Sequence, residues 1–191
     1  MLAVWDDPAR VEKALAAGAV SCPSCHGLLG PWGWARTREL RGAPSRQLRP
    51  RRARCRNCAG THVLVPTSSL LRRRDAIEVI GAALMAKQAG QGHRVIAASL
   101  GVPASTVRGW LRRFADRAEQ LRALASVTAH RFDIMQGAVK PRGSPFADAL
   151  EAIGLAIAAV IRMLGPARSP WHVAAALTGA LMLSTRPLPA R

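Results

Sequence analysis

Between residues 75 and 125 apolar side chains recur at three- and four-residue spacing, a period that predicts a run of amphipathic helices. Ile77, Ile80, Ala83 and Leu84 mark the first, opened by Asp75 with Glu78 three positions on as a capping box and stopped by Gly90 and Gly92. His93–Leu100 forms a second, short helix. After Gly101 comes a third, Val102–Phe114, with Pro103 in its first turn. Ile96, Leu100, Val102, Val107 and Trp110 fall on the faces where these two helices would meet, and Ala97 is small enough to let them cross closely. A tight glycine turn between such helices predicts a helix-turn-helix.

The apolar stripe does not end at Phe114. Val107, Phe114 and Leu121 repeat at seven residues, joined by Trp110 and Leu124 and by Leu111, Ala118 and Ala125, so the third helix is expected to continue to Ser126. The stripe is read as packing on the chain's own C-terminal helices, with a homodimer seam as the alternative. Residues 72–127 are thus a helix-turn-helix domain with an extended last helix, and 128–143 a linker. Residues 144–185 form a helical hairpin: Ser144-Pro145 opens one helix through Leu164, and Ser169-Pro170 opens another through Leu181 toward Pro187. Its uncharged runs, 152–161 and 173–184, are shorter than the ~20 residues a membrane crossing needs, so no membrane partner is expected.

Ahead of this, after an expected N-terminal helix over 1–19, the period changes to two. Arg38–Arg41 and Arg46–Arg49 read as strands around the turn Gly42-Ala43-Pro44-Ser45, and Thr61–Val65 as another, closed by Pro66. The same stretch holds all four cysteines, as Cys22-Pro23-Ser24-Cys25 and Cys55-Arg56-Asn57-Cys58. Two C-x-x-C pairs brought together supply four thiolates at about 2.3 Å from one tetrahedral Zn2+ and leave no open position for chemistry. Gly27 and Gly60 follow each pair where the knuckle must turn, and are expected to take positive φ. Disulfides or a redox pair are the competing readings. Disulfides require an oxidising compartment, and the N-terminus shows neither a basic n-region nor an apolar h-region. Residues 20–68 therefore read as a zinc ribbon holding one structural zinc through Cys22, Cys25, Cys55 and Cys58, with His26 and His62 outside the ligand shell.

Charge then narrows the partner. The net charge is +17, and residues 31–74 alone carry twelve arginines against a single acid, Glu39. A face of that density suits a polyanion, since arginine forks pair with phosphate oxygens and release counterions. Arg49, Arg51, Arg52, Arg54, Arg72, Arg73 and Arg74 are the expected phosphate contacts, joined by His93 and Arg94 at a helix N-terminus. Outward on the third helix stand Ala104, Ser105, Thr106, Arg108, Arg112 and Arg113, a surface suited to the major groove. Arg108 is the first choice for base readout and Arg112 and Arg113 for backbone clamps. Trp32 and Trp34 are assigned to the ribbon's small core, with stacking on bases as the alternative.

The ribbon ending in Arg54-Cys55-x-x-Cys58, the segment Thr61–Pro66, the arginine patch and Ser105-Thr106-Val107-Arg108-Gly109-Trp110-Leu111-Arg112-Arg113 resemble a bacterial family of zinc-ribbon plus helix-turn-helix proteins of uncharacterised activity. They are also similar to the DNA-binding head of insertion-sequence transposases. The resemblance covers about residues 20–125 and implies double-stranded DNA as partner. Such transposases cut with a carboxylate triad, whereas only Asp116, Glu119, Asp133, Asp148 and Glu151 follow the helix-turn-helix here. No phosphate-binding glycine loop or nucleophile elbow is found, and no small-molecule substrate is evident. The fold expected is mainly α with a small β zinc ribbon, then a central helix-turn-helix bundle and a C-terminal helical hairpin. The function expected is non-enzymatic, sequence-specific DNA binding in the cytoplasm, at the nucleoid, as a transcriptional regulator or as an accessory to a separate recombinase or transposase. A transposase subunit is the first alternative, and an RNA-binding ribbon the second.

Overall fold

The computed structural model describes residues 2–135, 137–167 and 169–189, so Met1, Gln136 and Arg168 of the expected N-terminal, linker and hairpin segments fall outside it. The described residues hold two buried cores, one per half of the chain. In the N-terminal half β1 (Leu2–Val4), β2 (Leu29–Trp34), β5 (Arg51–Cys55) and β6 (Thr61–Pro66) form one sheet in the order β1-β6-β5-β2, while β3 (Arg38–Leu40) and β4 (Arg46–Leu48) form a separate hairpin. The expected strands are all present. Residues 1–19, however, are not helix alone. β1 pairs in parallel with β6, Leu2 opposite Leu64 and Val4 opposite Pro66, covering an edge the ribbon would otherwise leave open. Only Pro8–Ala16 is helical (α1), started by Asp7, whose carboxylate accepts from the Ala9 amide at 2.9 Å. Val11, Ala14 and Leu15 of α1 then share a core with Leu29, Ala53 and Leu64 of the sheet.

The second half is helical: α2 (Ile77–Gln88), α3 (His93–Leu100), α4 (Ala104–Ala115), α5 (Ala118–Phe132), α6 (Pro145–Leu164) and α7 (Pro170–Leu177). Gly101, at φ 62°, ends α3 with two backbone bonds, from its own amide to Ala98 and from the Val102 amide to Ala97. This arrangement satisfies the last carbonyls and needs a left-handed residue. Ile77, Ile80, Leu84, Ile96, Val107 and Phe114 are fully buried between α2, α3 and α4.

Four sequence expectations change here. Asp75 does not cap α2; the cap position is Ala76 with no side-chain bond, and Asp75 is buried against Arg41 at 3.0 Å. A long-range ion partner out-competes the local amide. The third helix does not run to Ser126: it breaks at Asp116-Arg117, where Arg117 is buried and donates to the Ser184 and Arg186 carbonyls. The stripe therefore serves two surfaces, α4 facing α2 and α3, and α5 facing α6. The C-terminal helices touch each other, but α6 packs chiefly on α5. α6 lies alongside α5 in the same direction, with Phe146 against Phe114 at one end (4.7 Å between centroids) and Arg162 bonded to Asp133 at the other (2.5 Å). Finally, α7 ends at Leu177 rather than running through Leu181, because Gly179 and Ala180 turn left-handed and return the Ala180 amide to the Ala175 carbonyl at 2.7 Å. Residues after it cross back over the domain, where the Ala180 carbonyl accepts from the Leu71 amide and the Leu183 carbonyl from Arg73, each at 2.9 Å. Among the described residues no helix is long and apolar enough to cross a membrane.

The two halves are clasped by His172, whose Nδ1 lies 2.7 Å from Asp6 and whose Nε2 lies 2.6 Å from Glu78. The Asp6 bond, with both carboxylate charges, outweighs burial and raises the imidazole above its ordinary 6.5. Burial would raise the Asp6 carboxyl, but His172 and Ser68 hold it far below its ordinary 3.8. A raised histidine contributes stability that is complete below 6.5 and lost as pH climbs through the native value. A depressed aspartate contributes above 3.8 and fails as pH falls through its native value. Urea midpoints should therefore be highest between these two values. In His172→Gln the decline above 6.5 should flatten, at a cost near pH 6 of about 1–3 kcal/mol for the weakened bonds to the Asp6 and Glu78 carboxylates.

Candidate nucleic-acid interface and metal centre

The two cysteine knuckles are built alike. Cys22 and Cys55 donate their amides to the Gly27 and Gly60 carbonyls at 2.8 and 2.9 Å, and receive the Ser24 and Asn57 amides on Sγ at 3.4 and 3.3 Å. Positive φ falls one residue earlier than expected, on His26 (59°) and Ala59 (57°). Gly27 is required for space instead: a Cβ there would sit 2.6 Å from Asn57 Cβ and 3.1 Å from Cys55 Sγ.

These turns bring all four Sγ atoms within 4.8 Å of one another, with Cys22–Cys58 at 3.8 Å and Cys25–Cys55 at 3.5 Å. Four thiolates around a tetrahedral zinc stand about 3.8 Å apart, so the donor set fits such an ion. The Ser24 amide leads the lowering of the Cys22 thiol to about 6. For Cys25 the Gly27 amide favours the thiolate, but the neighbouring Cys55 and Cys58 sulfurs and burial outweigh it and push the group up to about 11. His62 Nε2 lies 3.3 Å from Cys22 Sγ, beside the donor set, and His26 is exposed.

On α4, Ser105, Arg108 and Arg112 are exposed and Ala104 and Thr106 half-buried, while Val107, Trp110, Leu111 and Phe114 anchor the opposite face. Arg113 folds back along the helix to the Gly109 carbonyl (3.1 Å) and is half-buried. A cleft of about 330 Å³ runs between this helix and the arginine patch, lined by Arg72, Arg73, Arg74, Ser105, Thr106 and Gly109 together with Arg41 and Arg113. Arg72 and Arg74 are exposed. Arg73 is instead turned inward to the Leu183 carbonyl, and burial followed by the nearby Arg113 charge lowers its pKa.

Arg41 was absent from the sequence-predicted contacts. Its backbone is stitched to the start of α2, its amide donating to the Arg74 carbonyl and its carbonyl accepting from Ala76, each at 2.7 Å. The ribbon's hairpin is thus fixed beside the helix-turn-helix, a link that no local pattern announces. Of the other expected contacts, Arg94 is exposed and His93 half-buried at the start of α3. The ribbon arginines lie apart from the α4 cleft. Arg51 is held by Glu12 (2.6 Å) and the Gly33 carbonyl (2.5 Å), Arg54 donates to the Ala59 carbonyl (3.2 Å), Arg49 is exposed and Arg52 half-buried.

A homeodomain-like domain family model matches residues 71–122, from the patch through the first turns of α5; it describes a helix-turn-helix family found in transposases. No curated protein and no solved structure matches the chain. Residues 71–122 thus carry a homeodomain-like helix-turn-helix domain, and such a domain suggests DNA binding.

Proposed function

We propose that the chain is a non-enzymatic, sequence-specific binder of double-stranded DNA, acting in the cytoplasm at the nucleoid as a transcriptional regulator or a mobile-element accessory. What supports this is the convergence of the exposed first turns of α4 with Arg72, Arg74 and Arg41 around one cleft. A helix in the major groove needs base-edge donors along its exposed face and phosphate clamps at its side, and this cleft supplies both. In this reading Arg108 reads bases with Ser105 and Thr106 as accessories, Arg112 and Arg94 clamp the backbone, and a structural zinc on Cys22, Cys25, Cys55 and Cys58 rigidifies the ribbon that positions Arg41.

A second reading has one observation in its favour: the matched helix-turn-helix family is found in transposases. The chain would then be the DNA-binding subunit of a transposition system whose catalytic domain lies on another chain. A catalytic reading frame adjoining the gene favours it.

Selection from a random duplex library should return a defined motif. Arg108→Ala should cost about 1–3 kcal/mol on that motif and relax one position of it. Replacing Arg72 and Arg74 together should weaken all sequences alike and reduce the salt slope by about 0.9 per lost phosphate contact. A library that emerges unenriched at moderate salt defeats the reading.

A further inference from the structure

Three of the chain's five tryptophans are spent on the surface of the N-terminal half, which is unusual in a sequence that is only 4% aromatic. Trp32 is 49% exposed, Trp34 44% and Trp5 38%. Sequence reasoning assigned Trp32 and Trp34 to the ribbon core, but β2 buries only Leu29 and its last four residues are exposed. The ribbon core is already filled by Leu29, Ala53, Cys55 and Leu64 beneath α1.

Each exposed indole is met by a guanidinium: Arg54 lies 4.6 Å from the Trp32 centroid, Arg51 4.8 Å from Trp34 with Arg49 at 5.7 Å, and Arg10 4.6 Å from Trp5. Two of these arginines are fixed from behind. Arg51 is pinned by Glu12 and the Gly33 carbonyl, and Arg54 by the Ala59 carbonyl. The rings also border hollows. Trp32 lines one of about 470 Å³ with Arg54 and Arg56, and Trp34 and Trp5 line another of about 410 Å³ with Arg49, where Asp6 and Glu12 neutralise Arg46 and Arg51 and leave Arg49 as the free cation among the described residues.

We propose that these two hollows, one bearing Trp32 with Arg54 and Arg56 and the other Trp34 and Trp5 with Arg49, each take bases of an unpaired DNA strand by stacking them on the indoles. Half-exposed rings beside arginines suit that ligand. Every base has a π-face to stack, its phosphates meet the guanidinium charges, and no groove geometry is required. A paired duplex buries its base faces and cannot use the rings. Both hollows are separate from the α4 cleft; only the choice of DNA over RNA rests on the duplex reading above.

The test uses the full-length protein and its own tryptophan emission. Oligothymidylate of about 15 nucleotides should quench the emission and bind at least about tenfold more tightly than an abasic strand of equal length and charge. Trp32→Ala and Trp34→Ala should each weaken oligothymidylate about fivefold or more, and Trp32→Phe and Trp34→Phe should recover most of that loss. Equal affinity for the abasic strand overturns the proposal, as do alanine variants without effect or tighter binding of oligouridylate. The wild-type abasic comparison decides even if an alanine variant misfolds. Failure of duplex selection with strand binding intact would sink the helix-turn-helix reading and spare this one.

Discussion

Withdrawing zinc is expected to dismantle the N-terminal half while leaving the helical half folded. Cys22 and Cys55 are themselves members of the small N-terminal core, and the four sulfurs stand within 4.8 Å of one another. Without an ion, deprotonating more than one of them places like charges side by side. With an ion, all four are held as thiolates, and structural zinc in comparable small modules contributes about 10–16 kcal/mol to folding. Elemental analysis should give one zinc per chain. Chelation should then abolish amide protection in β2, β5 and β6 and shift the Trp32 and Trp34 emission, while far-UV helicity is largely kept. The helical core does not include the cysteines, so its loss should be confined to its links with the dismantled side, the His172 clasp to Asp6 and the Arg41 bonds to Arg74, Asp75 and Ala76. Retained ribbon protection after chelation would mean that the thiols merely pack, and the metal reading would fall.

How far the sequence could be read depended on the range of the forces involved. The helix-turn-helix was legible because its signals are local: the spacing of Ile96, Leu100, Val107 and Trp110 and the left-handed turn at Gly101 act within a few residues. The cysteine knuckles were legible for the same reason, although the positive φ fell on His26 and Ala59 and the glycine served clearance. What escaped depends on distant partners. Asp75 gave a sound local cap signal but is taken by Arg41, thirty-four residues earlier in the chain. The heptad-like stripe through Phe114 and Leu121 could not reveal the break at Arg117, whose cause is the carbonyls of Ser184 and Arg186. The tryptophans depart from the expectation because a hydrophobic side chain's default is burial, whereas the core beneath α1 is built from Leu29, Ala53, Cys55 and Leu64. Within the arginine run, the sequence does not show which side chains turn inward and which face solvent. Arg73 and Arg72 look identical in sequence and face opposite environments in the fold.

Gly81→Ala should destabilise the protein by about 2 kcal/mol, against the sign that helix propensity alone assigns. Gly81 sits in the middle of α2, where alanine normally gains up to about 1 kcal/mol over glycine. Here a Cβ would land within the Trp171 indole, contacting its ring carbons and Nε1. Helix α7 cannot easily retreat, since Ser169 caps it through the Trp171 amide at 3.3 Å and His172 is bonded on both sides, to Asp6 and to Glu78 of α2 itself. Overpacking against so fixed a ring typically costs 1–3 kcal/mol, about enough to outweigh the propensity gain, and more where the backbone must move. The urea midpoint should fall with little change in slope. Trp171→Ala should cost a similar amount by emptying the seat, and the double variant should be less damaged than the sum, with at least about 1 kcal/mol of favourable coupling as the new methyl occupies the vacated space. If Gly81→Ala instead stabilises the protein as an exposed helix glycine would, α7 does not seat its indole on α2, and the clasp through His172 loses the packing that holds it in place.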